Sequence, residues 1–254
     1  MPTGAAEVDR HRNELDRAIG EATEELRRET GPLGILYSGG VDSSLLAWEL
    51  RDRPGVTLYT LASDGSADLR AGETGAGRLG LPWEHLPLSE SSIATATARF
   101  SEELGGVAPV VRTVLLSLAI AISQCPRDRL LCGQGVDELF LGYAHYRGLS
   151  VHDAERRSLD DLARLLESDW PRTQRIAERV GKRITAPYLV PVFREAALRI
   201  PVELRLPADR PKGFFRDWSR HRGLPEELAT RRKRALQYGS GVDALVRRSA
   251  RTDR

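Results

Sequence analysis

The feature that most constrains the fold of this chain is the run Ser38-Gly39-Gly40-Val41-Asp42-Ser43-Ser44, set between an apolar stretch at 33–37 and a further apolar stretch at 41–50. Five apolar-rich residues, two glycines and an Asp-Ser helix start read as strand, loop and helix. From average residue usage, the five fixed residues of this run arise by chance at on the order of 10⁻⁶ per position. Two glycines at such a junction let backbone N–H groups turn toward a bound anion, and the helix start adds partial positive charge. The loop is suited to phosphate. Strands at 56–62 and 83–88 follow, alternating with helices at 66–79 and 90–104. A strongly apolar helix at 112–123, a strand at 129–132, a second glycine turn at 133–135 and a helix at 136–146 continue the pattern. This alternation predicts an α/β fold around a Rossmann-like, doubly wound parallel sheet. Ahead of it, Leu15, Ile19, Ala22 and Leu26 stand at helical spacing among charges and predict an amphipathic helix over 9–29. Beyond 151 the pattern is helical, Arg-rich and broken by prolines.

Within the first loop, Ser38, Ser43 and Ser44 carry hydroxyls, and those of Ser38 and Ser43 can donate to phosphate oxygens. The Asp42 carboxylate would repel phosphate unless Mg²⁺ stood between them, which makes Asp42 a candidate metal ligand. The alternative is a tight turn with Asp42 capping the helix. No Lys follows the glycines, so the loop is not of the GxxxxGK[ST] kind.

Composition narrows the classes. With 41% hydrophobic and 29% charged residues, and no apolar run of the roughly 18 residues a membrane helix needs, the chain reads as a soluble globular protein, expected in the cytoplasm. A net charge of +2 gives no large basic field, so nucleic acid is an unlikely partner. Cys125 and Cys132 form no CxxC pair, and the five His show no metal spacing. The cations are lopsided, with 35 Arg against three Lys, Lys182, Lys212 and Lys233. A chain that uses Arg for generic charge makes each Lys a candidate for a role needing a compact ammonium, although coding bias explains the same ratio.

The loop resembles the pyrophosphate-binding loop of the PP-loop family, whose members split ATP into AMP and pyrophosphate. Asparagine, β-lactam, NAD and GMP synthetases and several tRNA-modifying enzymes belong to it. The segment Gly133-Gln134-Gly135-Val136-Asp137-Glu138-Leu139-Phe140-Leu141-Gly142-Tyr143 looks like the GEGxDELFGGY segment of asparagine synthetases. This narrows the resemblance to their synthetase domain, over roughly 30–245, and implies an adenine nucleotide alpha-hydrolase-like fold. Asp137, at a helix start beside a glycine turn, can complete a Mg²⁺ site with Asp42, and Gly135 of that turn is a candidate nucleotide contact. Glu138 is either a supporting group or a helix-start carboxylate. Gln134 stands where asparagine synthetases have Glu. Its amide can orient a substrate but cannot act as a general base.

A third segment, Arg231 to Gly241, is similar to the end of the synthetase domain, where the family's Lys stabilises charge on the adenylating phosphate. The match nominates Lys233, or Arg234 on a one-residue shift. Arg112 resembles an Arg found in asparagine synthetases ahead of a corresponding helix, which makes it a candidate contact for ATP phosphates, with a helix-start surface Arg as the equal alternative. Lys212 with Arg216 resembles the K-x-x-[LF]-R segment, with a solvated helix face as the alternative. Pro187-Tyr188-Leu189 resembles P-[FY]-L-D, with Val190 at the Asp position. Open α/β sheets bind nucleotides at the carboxyl ends of strands, which places Leu61 to Asp64 beside the adenine. Asp64 and Asp68 stay open between ribose contact and loop solvation.

The expected organisation is an N-terminal helix over 1–30, an ATP-binding core over 31–150 and a helical C-terminal part over 151–254 that completes the active site, packed as one unit. The expected reaction is amide formation from a small carboxylate with ATP and Mg²⁺. The chain starts Met1-Pro2-Thr3, without the catalytic Cys of glutamine-using relatives. The nitrogen is then expected from free ammonia, an amine or a separate glutaminase subunit. An NAD synthetase, a tRNA-modifying enzyme and a nucleotide-binding accessory protein without catalysis are the competing readings.

Overall fold

The computed structural model describes residues 4–206, 210–231 and 241–242. In chain order its elements are α1 (Ala5–Arg28), β1 (Leu33–Leu36), α2 (Val41–Glu49), β2 (Val56–Ala62), α3 (Ala67–Leu79), β3 (Trp83–Pro87), α4 (Glu90–Arg99) and α5 (Pro109–Gln124). They continue as β4 (Arg129–Leu131), α6 (Val136–Leu139), α7 (Val151–Arg164), α8 (Trp170–Glu178), β5 (Arg183–Thr185), α9 (Pro191–Leu198), α10 (Val202–Arg205), α11 (Gly213–His221) and α12 (Glu226–Thr230). The five strands form one all-parallel sheet in the order β3-β2-β1-β4-β5. The strand order reverses between β1 and β4, so the loops that leave these two strands open side by side, where open α/β sheets bind ligands.

Local chemistry accounts for the elements. Every residue of β2 is buried, as expected of an inner parallel strand covered on both faces. Ser66 caps α3 by accepting from the Leu69 N–H, and α3 ends at Gly80 in the left-handed conformation. Ser89 and Ser92 form a reciprocal capping box on α4. At the far end of α5, Lys182 donates to the carbonyls of Ile122 and Cys125, satisfying acceptors the helix leaves open. That accounts for one of the three lysines as a structural plug.

Three expectations are corrected. The helix expected at 136–146 ends at Leu139, because Leu141 has φ 51° and Gly142 N–H closes back on the Asp137 carbonyl. The helix expected at 90–104 stops at Arg99 and gives way to turns ending at Gly106, where φ is 67°. A fifth strand, β5, lies in the stretch read as helical. Three residues are too short to show a period of two, and only the open edge of β4 makes them a strand.

The C-terminal elements close on the sheet through an aromatic cluster. The rings of Phe140 and Phe215 are 5.0 Å apart, those of Tyr188 and Phe193 5.1 Å, and those of Phe215 and Trp218 5.6 Å. Trp218 Nε1 donates to Asp16 of α1, and Trp48 Nε1 of α2 donates to the Arg222 carbonyl. The buried Glu49 carboxylate accepts from Arg222 and Arg27 together. The Tyr188 hydroxyl reaches into the first turn of α2, donating to the Asp42 carbonyl at 2.8 Å. Tyr188→Phe is expected to cost about 1 kcal/mol in urea unfolding, the worth of one hydrogen bond. Phe215→Ala, which opens a cavity in the cluster, is expected to cost about 3–5 kcal/mol.

Candidate functional site

The site is built where the loops after β1 and β4 meet. Gly39 has φ 66°, and a Cβ there would lie 2.7 Å from the Ala71 carbonyl oxygen, so only glycine fits this turn against α3. Gly40 is the N-cap residue of α2. The Ser38 N–H donates to Ser43 Oγ at 3.3 Å, the Gly40 N–H to Ser38 Oγ at 3.4 Å, and Ser43 Oγ lies 3.3 Å from the Gly40 carbonyl. Ser44 is buried and pairs with the Tyr37 hydroxyl at 3.1 Å, which directs its Oγ into the core.

Across from this loop, Gly135 starts α6 with φ 103° and Asp137 follows in its first turn. The two loops approach so closely that a Cβ on Gly133 would lie 3.1 Å from Asp42 Cβ. Asp42 and Asp137 consequently face one another. The structure also brings in a group that the residue pattern left undecided. The Lys212 ammonium lies 3.0 and 2.8 Å from the two Asp42 carboxylate oxygens and 2.6 Å from Asp137 Oδ1. Its side chain is 3% exposed. The solvated-face reading of Lys212 and Arg216 is thereby overturned. Arg216 is buried as well and donates to the carbonyls of Pro211, Ala229 and Arg231, tying α11 to the end of α12. The capping alternative for Asp42 also falls, since α2 has no side-chain cap and the carboxylate is turned to Lys212.

Glu138 is buried behind Asp137. Burial, followed by the neighbouring Asp137 charge, pushes its carboxyl up to about 7, although the Tyr143 hydroxyl donates to it at 2.6 Å. Gln134 is half-buried at the mouth of the second turn, with Cys132 Sγ 4.0 Å from its Oε1. Val190 starts α9, next to Tyr188 and Leu189. Leu61 is buried near the end of β2, opposite Leu86. Asp64 is exposed, whereas Asp68 is buried and lies 3.4 Å from Arg231, which removes the loop-solvation reading for Asp68. Arg112 is exposed in the first turn of α5, at the same edge of the sheet as the two loops.

Arg231 was not singled out from the sequence, yet it spans the site, donating to the Ser38 carbonyl at 3.0 Å and pairing with Asp68. Ten residues on, a Cβ on Gly241 would lie 2.5 Å from Ser63 Oγ, beyond the carboxyl end of β2. Both flanks of the segment 232–240 thus touch the loops of the site. Lys233 and Arg234 themselves lie outside the described residues. Among the described residues no group of three or more His, Cys, Asp or Glu is placed to hold a metal. The pair of carboxylates is still a fitting donor set for Mg²⁺, which commonly takes one or two carboxylates and completes its shell with waters and substrate phosphates. No helix among the described residues is long and apolar enough to cross a membrane.

Comparison with known proteins matches the asparagine synthase family over residues 14–185 and 148–252. A putative glutamine-hydrolyzing asparagine synthetase of Methanocaldococcus jannaschii is 28% identical over 276 residues, covering 93% of this chain and 51% of that protein. Asparagine synthetase B of Escherichia coli is 24% identical over 258 residues, covering 92% of this chain and 46% of that protein. The chain spans about half the length of the curated relatives it matches. Among solved structures, an NH3-dependent NAD synthetase from Campylobacter jejuni aligns with a TM-score of 0.41 at 13% identity, covering 67% of this chain and 93% of that one, a likeness too slight to carry weight.

The Glu138 environment has a measurable consequence in the metal-free protein. Its folded-state pKa of about 7 lies above the ordinary 4.5, so between these values the folded chain keeps a proton that the unfolded chain releases. Stability therefore falls as pH rises through that window, by up to about 3 kcal/mol in total. Glu138→Gln, which stays neutral and still accepts from Tyr143, is expected to match the wild type in urea unfolding near pH 5. At pH 8 it is expected to exceed the wild type by about 1–3 kcal/mol.

Proposed function

Because the chain belongs to the asparagine synthase family, we propose that it is an ATP-dependent amide-forming ligase, working in the cytoplasm, that adenylates a small carboxylate and transfers ammonia or an amine to it. One observation carries this reading. Asp42 and Asp137 converge from two glycine turns at the point where the strand order reverses, beside a loop whose N–H and hydroxyl groups suit phosphate.

In this reading Ser38, Gly39, Gly40, Ser43 and the start of α2 hold the pyrophosphate half of ATP, with Ser44 fixing the turn from below through Tyr37. Asp42 and Asp137 hold Mg²⁺, which would supply neutralising charge to the polyphosphate. The backbone near Leu61 borders the adenine, Gly135 lets the second turn approach the nucleotide, and the exposed Arg112 faces the phosphates. The substrate carboxylate attacks the α-phosphorus, pyrophosphate leaves, and Lys233 offsets the growing negative charge. Ammonia or an amine then attacks the acyl carbon and AMP departs, leaving an amide. Gln134, at the mouth of the site, orients the acid or the amine through its amide. The nitrogen comes as free ammonia or from a separate glutaminase subunit.

The test is pyrophosphate release from Mg²⁺-ATP with L-aspartate and ammonium, with the amide assayed by mass spectrometry. Asparagine formed in step with AMP is the expected result. Asp42→Asn is expected to reduce release by about 100-fold or more, and Lys233→Ala by a similar factor, as for other charge-stabilising groups. Undiminished turnover in Asp42→Asn would remove the metal site from the proposal. Nucleotide binding without AMP formation, for any acid tried, would return the chain to the class of accessory nucleotide binders.

A further inference from the structure

We propose that Lys212 is a built-in stand-in for the divalent cation, holding Asp42 and Asp137 together in the nucleotide-free protein and giving way when a metal ion enters. The inference rests on the reading of these two aspartates as the metal pair, and adds to it a competition between an internal ammonium and the ion.

The geometry is that of an occupied cation site. The ammonium reaches both oxygens of Asp42 and one of Asp137, within 2.6–3.0 Å, and its side chain is 3% exposed. The surroundings are shaped to hold it there. Lys212 is the N-cap residue of α11 and has φ 58°, a backbone conformation that a lysine adopts at a cost and that glycine would adopt freely. A Cβ on Gly142 would lie 2.2 Å from Lys212 Cε and 2.1 Å from Asp137 Oδ1. The turn after α6 therefore leaves room for the lysine stem and the carboxylate together. The same turn is where Leu141 takes its own positive φ of 51°. Two non-glycine residues in the left-handed region thus flank one ion cluster, and these are the two among the described residues.

Two carboxylates brought this close repel one another unless a cation lies between them. The ammonium supplies a single charge at hydrogen-bond distance, whereas Mg²⁺ supplies two at about 2.0–2.1 Å. The ammonium and the ion cannot share the position, because like charges at that separation repel. Metal entering alone must expel the lysine from Asp42 and Asp137 into a low-dielectric interior. Metal entering with ATP presents the displaced ammonium with phosphate oxygens. Metal and nucleotide are therefore expected to bind with positive coupling, each raising the affinity for the other by the same factor. The lysine also keeps the carboxylates in register before either arrives.

The experiment follows Mn²⁺ binding to the nucleotide-free full chain by electron paramagnetic resonance of the free ion, in wild type and Lys212→Met. Methionine keeps the stem and removes the charge. The expected result is that the variant binds Mn²⁺ about tenfold tighter or more, and that Mg²⁺ raises its melting temperature at lower concentrations than it does the wild type's. If the variant does not fold, the wild type is footprinted with a lysine-acylating reagent and mapped by mass spectrometry. Excess Mg²⁺ is then expected to speed labelling at Lys212 and not at Lys182. Equal Mn²⁺ affinities in the two proteins, or Lys212 labelling indifferent to Mg²⁺, overturns the inference. Asp42→Asn separates the two levels. Weaker Mn²⁺ binding in that variant beside an unaltered Lys212→Met leaves the metal pair standing and removes only the stand-in, whereas unchanged Mn²⁺ binding in Asp42→Asn removes the metal pair itself.

Discussion

Two carboxylates that face one another, Asp42 buried and Asp137 half-buried, have to be neutralised, and the way this chain does it organises the rest of the molecule. Asp42 arrives on the loop after β1, Asp137 on the loop after β4, and Lys212 from the start of α11, some seventy residues further along. The two loops belong to the sheet and would lie side by side in any fold with this strand order. The lysine does not. Its presence requires the C-terminal elements to cross back over the carboxyl edge of the sheet, and the aromatic cluster of Phe140, Tyr188, Phe193, Phe215 and Trp218 is what holds them there. Burying these rings stabilises by about 1.5–3 kcal/mol each, enough to offset the ordering of a lysine and the strained backbone at its Cα.

The same elements tie the carboxyl edge of the sheet and the scaffold together at several depths. Arg216 gathers three carbonyls at the junction of α11 and α12, and Arg231 continues from there to Ser38 and Asp68. On the opposite face Glu49 accepts from two arginines at once, coupling α2 to α1 and to the end of α11. The helix that follows the first glycine turn is thus fixed at its start by Lys212 and Tyr188 and at its end by Arg222. An anion bound at that start would meet donors that are already in place, which is the condition for electrostatic stabilisation to act.

Reading the chain without its fold locates the loop, the second glycine turn and the sequence of strands, since each has a local cause: apolar runs, glycines and helix-start residues within a few positions of one another. It misjudges elements whose cause is distant. The helix at 136–146 breaks because Gly142 must make room for Lys212, a residue seventy positions away. The strand at 183–185 exists because β4 has an open edge to pair with. Arg231 was not singled out by any local feature, and the clues to Lys212, its likeness with Arg216 to a K-x-x-[LF]-R segment and the scarcity of lysine in a chain of arginines, left a solvated helix face open. Lys182 plugs the end of α5 and Lys212 lies in the ion cluster, each ammonium reaching oxygens of more than one residue.

By itself the sequence determined that this chain forms a parallel α/β sheet, that a phosphate-suited loop follows the first strand, and that Asp42 and Asp137 each begin a helix after a glycine turn. These are consequences of residue spacing within ten or so positions, where backbone geometry leaves few choices. The tertiary structure decided which of those groups meet, that a lysine stands between them, that Asp68 is buried against Arg231, and that Glu138 is held near neutrality behind Asp137. Charge and burial act through space, and only the folded chain sets the distances over which they act.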